Sequence, residues 1–463
     1  MVTPKSPRRF TSFTLLLCGL LSALGCQPTS EESTSETSSA QTPVTISTVP
    51  LRISIAGDDE LASTLQTGWR GFSEQPLEIK AVAAGELIEA APQSDIIIAP
   101  SMRLGDLLAA EAITPLPAAF LSQPSVNQAG LLAGLVNDAM KWENEMYGLP
   151  LGSRIPALWV APDVNIEDVS TWQGYSQALA NLPVGEAAEP LAEGWAAYAF
   201  LHRVSTQTAG IWLFDRQSLE PKLTDPPYVR ALQQLVADRS RYPDELLTPH
   251  QVWSKLASGE LKVAIGWPTA LPQADADSRA RLASLRMEPT PRGSEVFVDD
   301  WQAAKSAPIN PTLPPQALVA LVGAKCRQTA VARSFLAWLA SPEGRSSLRA
   351  TADQFAAIRP KTSSAAGDDD SPVLEAVDPL RERYDQLVIT ALSSGEVRPS
   401  LRIPASDQYM SALDAAIRTA LTGEKTPEQA LQDASTAWEA ITEELGRRTQ
   451  LRSWRQAQGM RGR

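Results

Sequence analysis

The chain has 463 residues, 43% hydrophobic and 20% charged, a globular composition long enough for roughly two or three domain-sized units, which excludes a small scaffold, a fibre or a wholly disordered chain. Lys and Arg number 41 against 53 Asp and Glu, and the resulting net charge of −12 has the wrong sign for a protein that gains affinity by neutralising phosphates, so no nucleic-acid partner is expected. With 2 His and 3 Cys there is too little for a closed Cys/His metal site or a histidine-based catalytic apparatus; neither metal nor cofactor is expected, and composition leans towards binding.

The chain opens with Lys5, Arg8 and Arg9, then the apolar run Phe13 to Leu24, then Ala23-Leu24-Gly25-Cys26, which reads as a signal peptide over residues 1–25. The run is too short to span a bilayer. A Cys directly after a small residue at this point resembles the lipobox of bacterial lipoproteins, which implies acylation of Cys26, cleavage just before it and a protein anchored by lipid on the extracytoplasmic side of a membrane. The alternative is an ordinary secretory signal with an incidental Cys. Cys18 leaves with the signal, so Cys326 remains the single unmodified thiol, expected to be an inert core residue with no disulfide partner. Half of residues 27–50 are Ser or Thr without periodicity, so residues 26–50 read as a polar tether.

In the body, Leu51 to Ala56 alternates as a strand and breaks at Gly57-Asp58-Asp59; Leu77 to Val82 and Asp95 to Ala99 are further strands. Between the first two, Leu61, Leu65, Trp69 and Phe72 have helical spacing. Strands and helices continue to alternate through Ala157–Val160, the aromatic region from Trp195 to Trp212, Leu261–Ile265 and a helix bearing Val331, Phe335, Trp338 and Leu339. This alternation predicts parallel sheets flanked by helices. Lys361 to Asp378, with Asp368-Asp369-Asp370, reads as a surface loop. Thr426-Pro427-Glu428-Gln429 sets out a capping box with a first-turn proline, opening a helix that carries Leu431, Trp438, Ile441 and Leu445 on one face.

Residues 447–463 hold six Arg and no acid, and residues 1–25 hold three cations and no acid, so about −21 lies on the stretch between. The basic end reads as a frayed, solvated terminus or as a contact for anionic lipid or a partner.

Several stretches, in order along about 400 residues, resemble the family 1 extracellular solute-binding proteins, the sugar-type receptors of bacterial ABC importers: Ile55-Ala-Gly-Asp58, Asp95 to Gly105, Ala110 to Leu116, Tyr147-Gly-Leu-Pro150, Gly259 to Pro268, Phe335 to Glu343 and Thr426 to Leu431. The resemblance implies a two-lobed periplasmic-binding-protein-like α/β fold of type II, in which each lobe is a mostly parallel sheet flanked by helices and a solute is caught by hinge closure. It places the first lobe at 51–152 plus 270–342, the second at 153–269 plus 343–446, and a basic tail at 447–463.

Open parallel sheets bind ligands in the loops beyond the carboxyl ends of their strands. Those loops offer Asp58 and Asp59, Ser101 and Arg103, Ser153 and Arg154, and Gly266 and Trp267; Trp301 and Tyr409 complete the expected ligand set. Each residue also has a plain reading: the aspartates as helix caps, Arg103 paired with Asp106 or Glu111, Trp267 as lobe packing, Trp195 and Trp212 as core. The resemblance weakens at Ala99, Met102, Arg154, Met410 and Ser411, where maltose-type receptors carry acids or stacking aromatics; Arg154 would favour an acidic solute or a sugar held by Arg donors, whereas the acidic body favours neutral sugars.

The expected function is a monomeric, lipid-anchored receptor that delivers a carbohydrate to ABC permease subunits without chemistry of its own. The competing expectations are a two-lobed sensor or scaffold and, more remotely, a glycosidase pairing Asp58 or Asp59 with Asp299 or Asp300. His202 and His250 lack metal-ligand spacing, and no Gly-x-Ser-x-Gly or His-Glu-x-x-His motif occurs.

Overall fold

The computed structural model describes residues 48–57, 59–165, 169–208, 212–271, 273–294, 296–297, 303–304, 317–349, 356–360, 379–393 and 397–460. The signal, Cys26, Asp58, Asp299, Asp300, Trp301 and the 361–378 loop lie outside them.

The first lobe starts with β1 (Leu51–Ala56), α1 (Asp59–Phe72) and β2 (Leu77–Val82). Asp59 and Glu60 sit in the first turn of α1 and Arg70 in its last, both matching the helix dipole, while Leu61, Leu65 and Trp69 turn inwards as their spacing predicts. Next come β3 (Ile96–Pro100), the short β4 (Ile113–Thr114) and β5 (Gly148–Gly152). Ile96, Ile97, Ile98 and Ala99 are all fully buried, because β3 is central and covered on both faces.

The chain then enters the second lobe through β6 (Ala157–Val160) and β7 (Ala187–Ala188), followed by α2 (Ala196–Ser205), α3 (Pro249–Ser258), β8 (Val263–Gly266) and β9 (Arg286–Pro289). The sheet order is β9-β6-β8-β7, with β6 antiparallel to both neighbours and β8 parallel to β7. A Thr248/Gln251 capping box with Pro249 starts α3, and Gly259 at φ 85° ends it. Trp159 packs edge-on against Trp253 of α3 with centroids 5.0 Å apart.

The return strand β10 (Leu318–Gly323) completes the first sheet in the order β2-β1-β3-β10-β4, and β5 pairs with β10 beside β4. It runs antiparallel to β3, since it arrives from the second lobe and enters the sheet from the opposite end. Then follow α4 (Thr329–Ala340), α5 (Pro342–Arg349), α6 (Pro379–Ser393), α7 (Ser406–Leu421), α8 (Pro427–Leu445) and α9 (Arg447–Ala457). Phe335 and Trp338 of α4 close on Trp69, with centroids 5.2 and 5.3 Å away. Each large side chain buried this way stabilises the lobe by roughly 1.5–3 kcal/mol.

Three boundaries expected from the sequence shift. Residues 270–289 do not return to the first lobe, because Arg286–Pro289 pairs with Ala157–Val160 in the second sheet, and Phe297 N still donates to Gln207 O at 2.8 Å. Residues 343–349 remain with the first lobe: Arg345 Nη1 donates to Leu151 O at 2.7 Å, and Gly344 lies against Trp338. The basic end is no frayed tail over 447–457. It is α9, whose Trp454 is 2% exposed and stacks edge-on against Phe214, while its Ala457 O accepts from buried Arg402. The arginines occupy the outward positions of an amphipathic helix whose inner face is Gln450, Ser453, Trp454 and Ala457, so their charge alone does not mark a free terminus.

Candidate functional site

The chain crosses between the lobes from Gly152, at the end of β5, to Ala157, at the start of β6. Strands β1, β2, β3 and β5 all point one way, and Leu318 of β10 is flanked in register by Pro100 and Gly152. Ser101 and Ser153, one residue beyond each flanking strand, therefore stand about 10 Å apart, two strand spacings, at the same end of the sheet. Both side chains are buried, and neither hydroxyl has a hydrogen-bond partner among the described residues. In the second sheet Gly266, Ala157 and Pro289 lie side by side. Hence Pro156, Trp267 and Thr290 share one end, joined there by Glu189 and Pro190 beyond β7. Ser153 and Pro156 are three residues apart, which bounds their separation at about 11 Å.

The second-lobe end carries a narrow pocket lined by Pro156, Glu189, Trp195, Tyr198, His202 and Trp267 among others. Trp195, Tyr198 and His202 recur on one face of α2 and the residue before it. Trp195 and Trp267 meet with centroids 5.4 Å apart at 53°, and Tyr198 stands edge-on to Trp195 at 6.3 Å. Such aromatic faces provide apolar area with little conformational freedom to lose, suited to the C–H face of a ring.

Behind the pocket lies a buried ionic cluster. Arg203 is fully buried, donates to Glu189 and to Asp238 (2.8 Å), and lies 4.0 Å over the Trp172 ring. Burial works against its charge, but Glu189 and Asp238 outweigh it and hold its pKa above the usual value. Burial pushes the Glu189 carboxyl up, opposed by Arg203 and by the Tyr242 hydroxyl that donates to it. Glu189 thus lines the pocket with one oxygen already committed.

His202 is 4% exposed. Its Nε2 is 2.8 Å from Thr290 Oγ1, and Nδ1 has no partner among the described residues. Burial, assisted by the adjacent Arg203 charge, lowers its pKa to about 4, so the ring is neutral at pH 7. An unpaired buried nitrogen costs about 1–3 kcal/mol.

The expected ligand residues divide. Trp267 is 5% exposed and lines the pocket while packing on Trp195. Ser101 joins Ser153 at the first sheet's end, and Asp59 is an exposed first-turn residue of α1. Arg154 is half-buried between the two ends, close enough for its charge to act on the Tyr384 phenol, whose hydroxyl accepts from Ile155 N at 3.0 Å and donates to Ile155 O at 2.8 Å. Arg103 follows its plain reading with one change of partner: it pairs with Asp106 at 3.0 Å and with Asp407, not Glu111, at 3.1 Å. Tyr409 is a correction. It is fully buried among Phe214 and Trp438, and its hydroxyl is 2.9 Å from Thr442 Oγ1, because the inner face of α7 packs on α8. Trp212 is likewise core, with Nε1 donating to Pro399 O, and Cys326 is half-buried, its thiol pushed up by desolvation.

Glu189, Tyr198 and His202 were missed. Strand β7 is two residues long, too short to alternate, so the acid after it carries no strand-end signal; the sequence sets His202 aside for its lack of metal-ligand spacing and offers Trp195 as core, with nothing that singles out Tyr198. Among the described residues no cluster of His, Cys, Asp and Glu is assembled for a metal ion, and no helix is long and apolar enough to cross a membrane.

No protein-family model and no curated protein matches this sequence. Solved structures do. An ABC transporter solute-binding protein from Agrobacterium vitis with bound D-mannitol superposes at TM-score 0.64 and 15% identity over 86% of this chain and 99% of that one. The chain has the fold of the two-lobed solute-binding proteins. A cyclo/maltodextrin-binding protein complexed with maltotetraose (TM-score 0.58, 17% identity, 85% and 98% covered) and the GacH receptor of Streptomyces glaucescens, solved unliganded and with acarbose (0.62, 15%, 86% and 99%), share it. The mixed sheets and their flanking helices agree with that fold.

Proposed function

We propose that the chain is an extracytoplasmic receptor that captures a carbohydrate between its two lobes and delivers it to an ABC import permease, with Cys26 as its lipid anchor and no catalysis of its own. The observation that carries the reading is the pocket at the strand ends of the second sheet, walled by Trp195, Tyr198 and Trp267 and bordered by Pro156 of the crossover from Ser153. It is supported by the mannitol, maltotetraose and acarbose named with the structural neighbours.

The test is a thermal-shift panel of sugars, polyols, sugar acids and sugar phosphates on the mature protein. A captured solute raises Tm with the logarithm of its concentration; a panel with no shift, or one that releases a reaction product, contradicts the receptor reading. Fatty-acid labelling lost in Cys26→Ala tests the anchor, and recovery of permease subunits by crosslinking from membranes tests delivery.

A further inference from the structure

The inference rests on the receptor reading and concerns which group in the pocket reads the solute. The described pocket offers two ionisable or imidazole side chains besides the Tyr198 phenol, and they are not equivalent. Glu189 is drawn into the buried cluster by Arg203 and Tyr242. His202 is held at one nitrogen only: Thr290 fixes Nε2 at 2.8 Å, and Ser205 Oγ and Thr206 N take its backbone carbonyl, so ring and helix are anchored while Nδ1 is left over.

We infer that His202 is a specificity-determining residue, whose Nδ1 makes one hydrogen bond to a hydroxyl of an uncharged, polyhydroxylated solute seated against Trp195 and Trp267. The anchoring is what a selective contact needs, because a ring fixed by Thr290 loses little freedom when the solute arrives. The chemistry also sets the class. A neutral imidazole pairs with a hydroxyl whichever tautomer it adopts, donating from Nδ1–H when Thr290 donates to Nε2 and accepting in the reverse case. It supplies no counter-charge to a carboxylate or phosphate. Burial and the neighbouring Arg203 charge keep the ring neutral across the ordinary pH range, so this preference holds from mildly acidic to alkaline conditions.

The chain is well placed for a direct test, since it has 2 His and the second, His250, is exposed, and reports exchange with solvent rather than the pocket. The mature protein carrying ¹⁵N-labelled histidine is titrated with D-mannitol, maltotetraose and the other neutral members of the thermal-shift panel, following tryptophan fluorescence and both imidazoles. The expected result is a shift of the His202 Nδ1 resonance that saturates with the fluorescence change while His250 stays still. His202→Gln keeps a group for Thr290 but none at the Nδ1 position, and is expected to bind the same solute roughly tenfold more weakly with an unchanged or raised apo Tm. His202→Asn restores a polar atom near Nδ1 and recovers part of the affinity. A solute that changes the fluorescence and leaves Nδ1 unmoved, or a His202→Gln variant of undiminished affinity and lowered Tm, overturns the inference and leaves the receptor reading standing. A panel in which no solute binds removes the receptor reading, and this inference falls with it.

Discussion

The two strand-end faces joined by the crossover are chemically unlike. The first lobe presents small hydroxyls, Ser101 and Ser153, an exposed Asp59, and an Arg103 already committed to Asp106 and Asp407. The second presents two indoles, a phenol and an imidazole around a formed pocket backed by a buried ionic cluster. Aromatic surface is concentrated on the second face, and the first carries buried hydroxyls with no partner among the described residues. On this account a solute docks first on the aromatic face, and closure pairs it with the hydroxyls opposite.

The comparison breaks most severely at the cluster behind the aromatic face. Arg203→Met leaves Glu189 and Asp238 buried without compensation, and a loss of about 3–5 kcal/mol is expected from denaturant unfolding. An unchanged midpoint would show that the pocket wall is not held by this ion pair.

Acid should act next. The His202 pKa falls from its ordinary 6.5 to about 4 on folding, so the unfolded chain binds the extra proton and stability is fully present above pH 6.5, declining as pH falls towards 4. The wild-type protein should lose about 3 kcal/mol over that window relative to His202→Gln. Glu189 and Asp138, whose carboxyls are raised by burial, act in the opposite sense, and subtracting the variant isolates the imidazole. Identical pH profiles would contradict the neutral buried ring.

Smaller effects concern binding. Trp195→Ala removes the half-buried indole and is expected to cost about 1–2 kcal/mol of affinity with a modest change in Tm; Trp267→Ala should lower both, since its indole is also core. Smallest is Ser101→Ala, which deletes a hydroxyl that has no partner among the described residues, so apo stability should hold or rise while affinity falls by about 1 kcal/mol, severalfold. Loss of apo stability instead would assign Ser101 to the scaffold.

Much of the fold was legible because it is written in local periodicity and caps. The inward face of α1, the continuous apolar β3 and the Thr426/Gln429 capping box sit where spacing placed them. Lobe boundaries were not legible, since β9 is four residues with no marked alternation and joins the second sheet only through long-range pairing with β6. Around the candidate site, Trp267 in the glycine–indole turn after β8 lines the pocket, and Ser101 in the turn after β3 is buried with an unpartnered hydroxyl among the described residues. Tyr409 failed because an aromatic on an amphipathic helix looks the same whether its face meets solute or another helix. His202 escaped because its role depends on Thr290, 88 residues away in sequence, and on the burial of both.

The central claim is capture by closure of two unlike faces, and small-angle X-ray scattering of the mature protein tests it most directly, with and without the panel solute that raises Tm most. The account predicts a smaller radius of gyration with solute, and no such contraction in Trp267→Ala at the same solute concentration. An unchanged radius with solute demonstrably bound would contradict it.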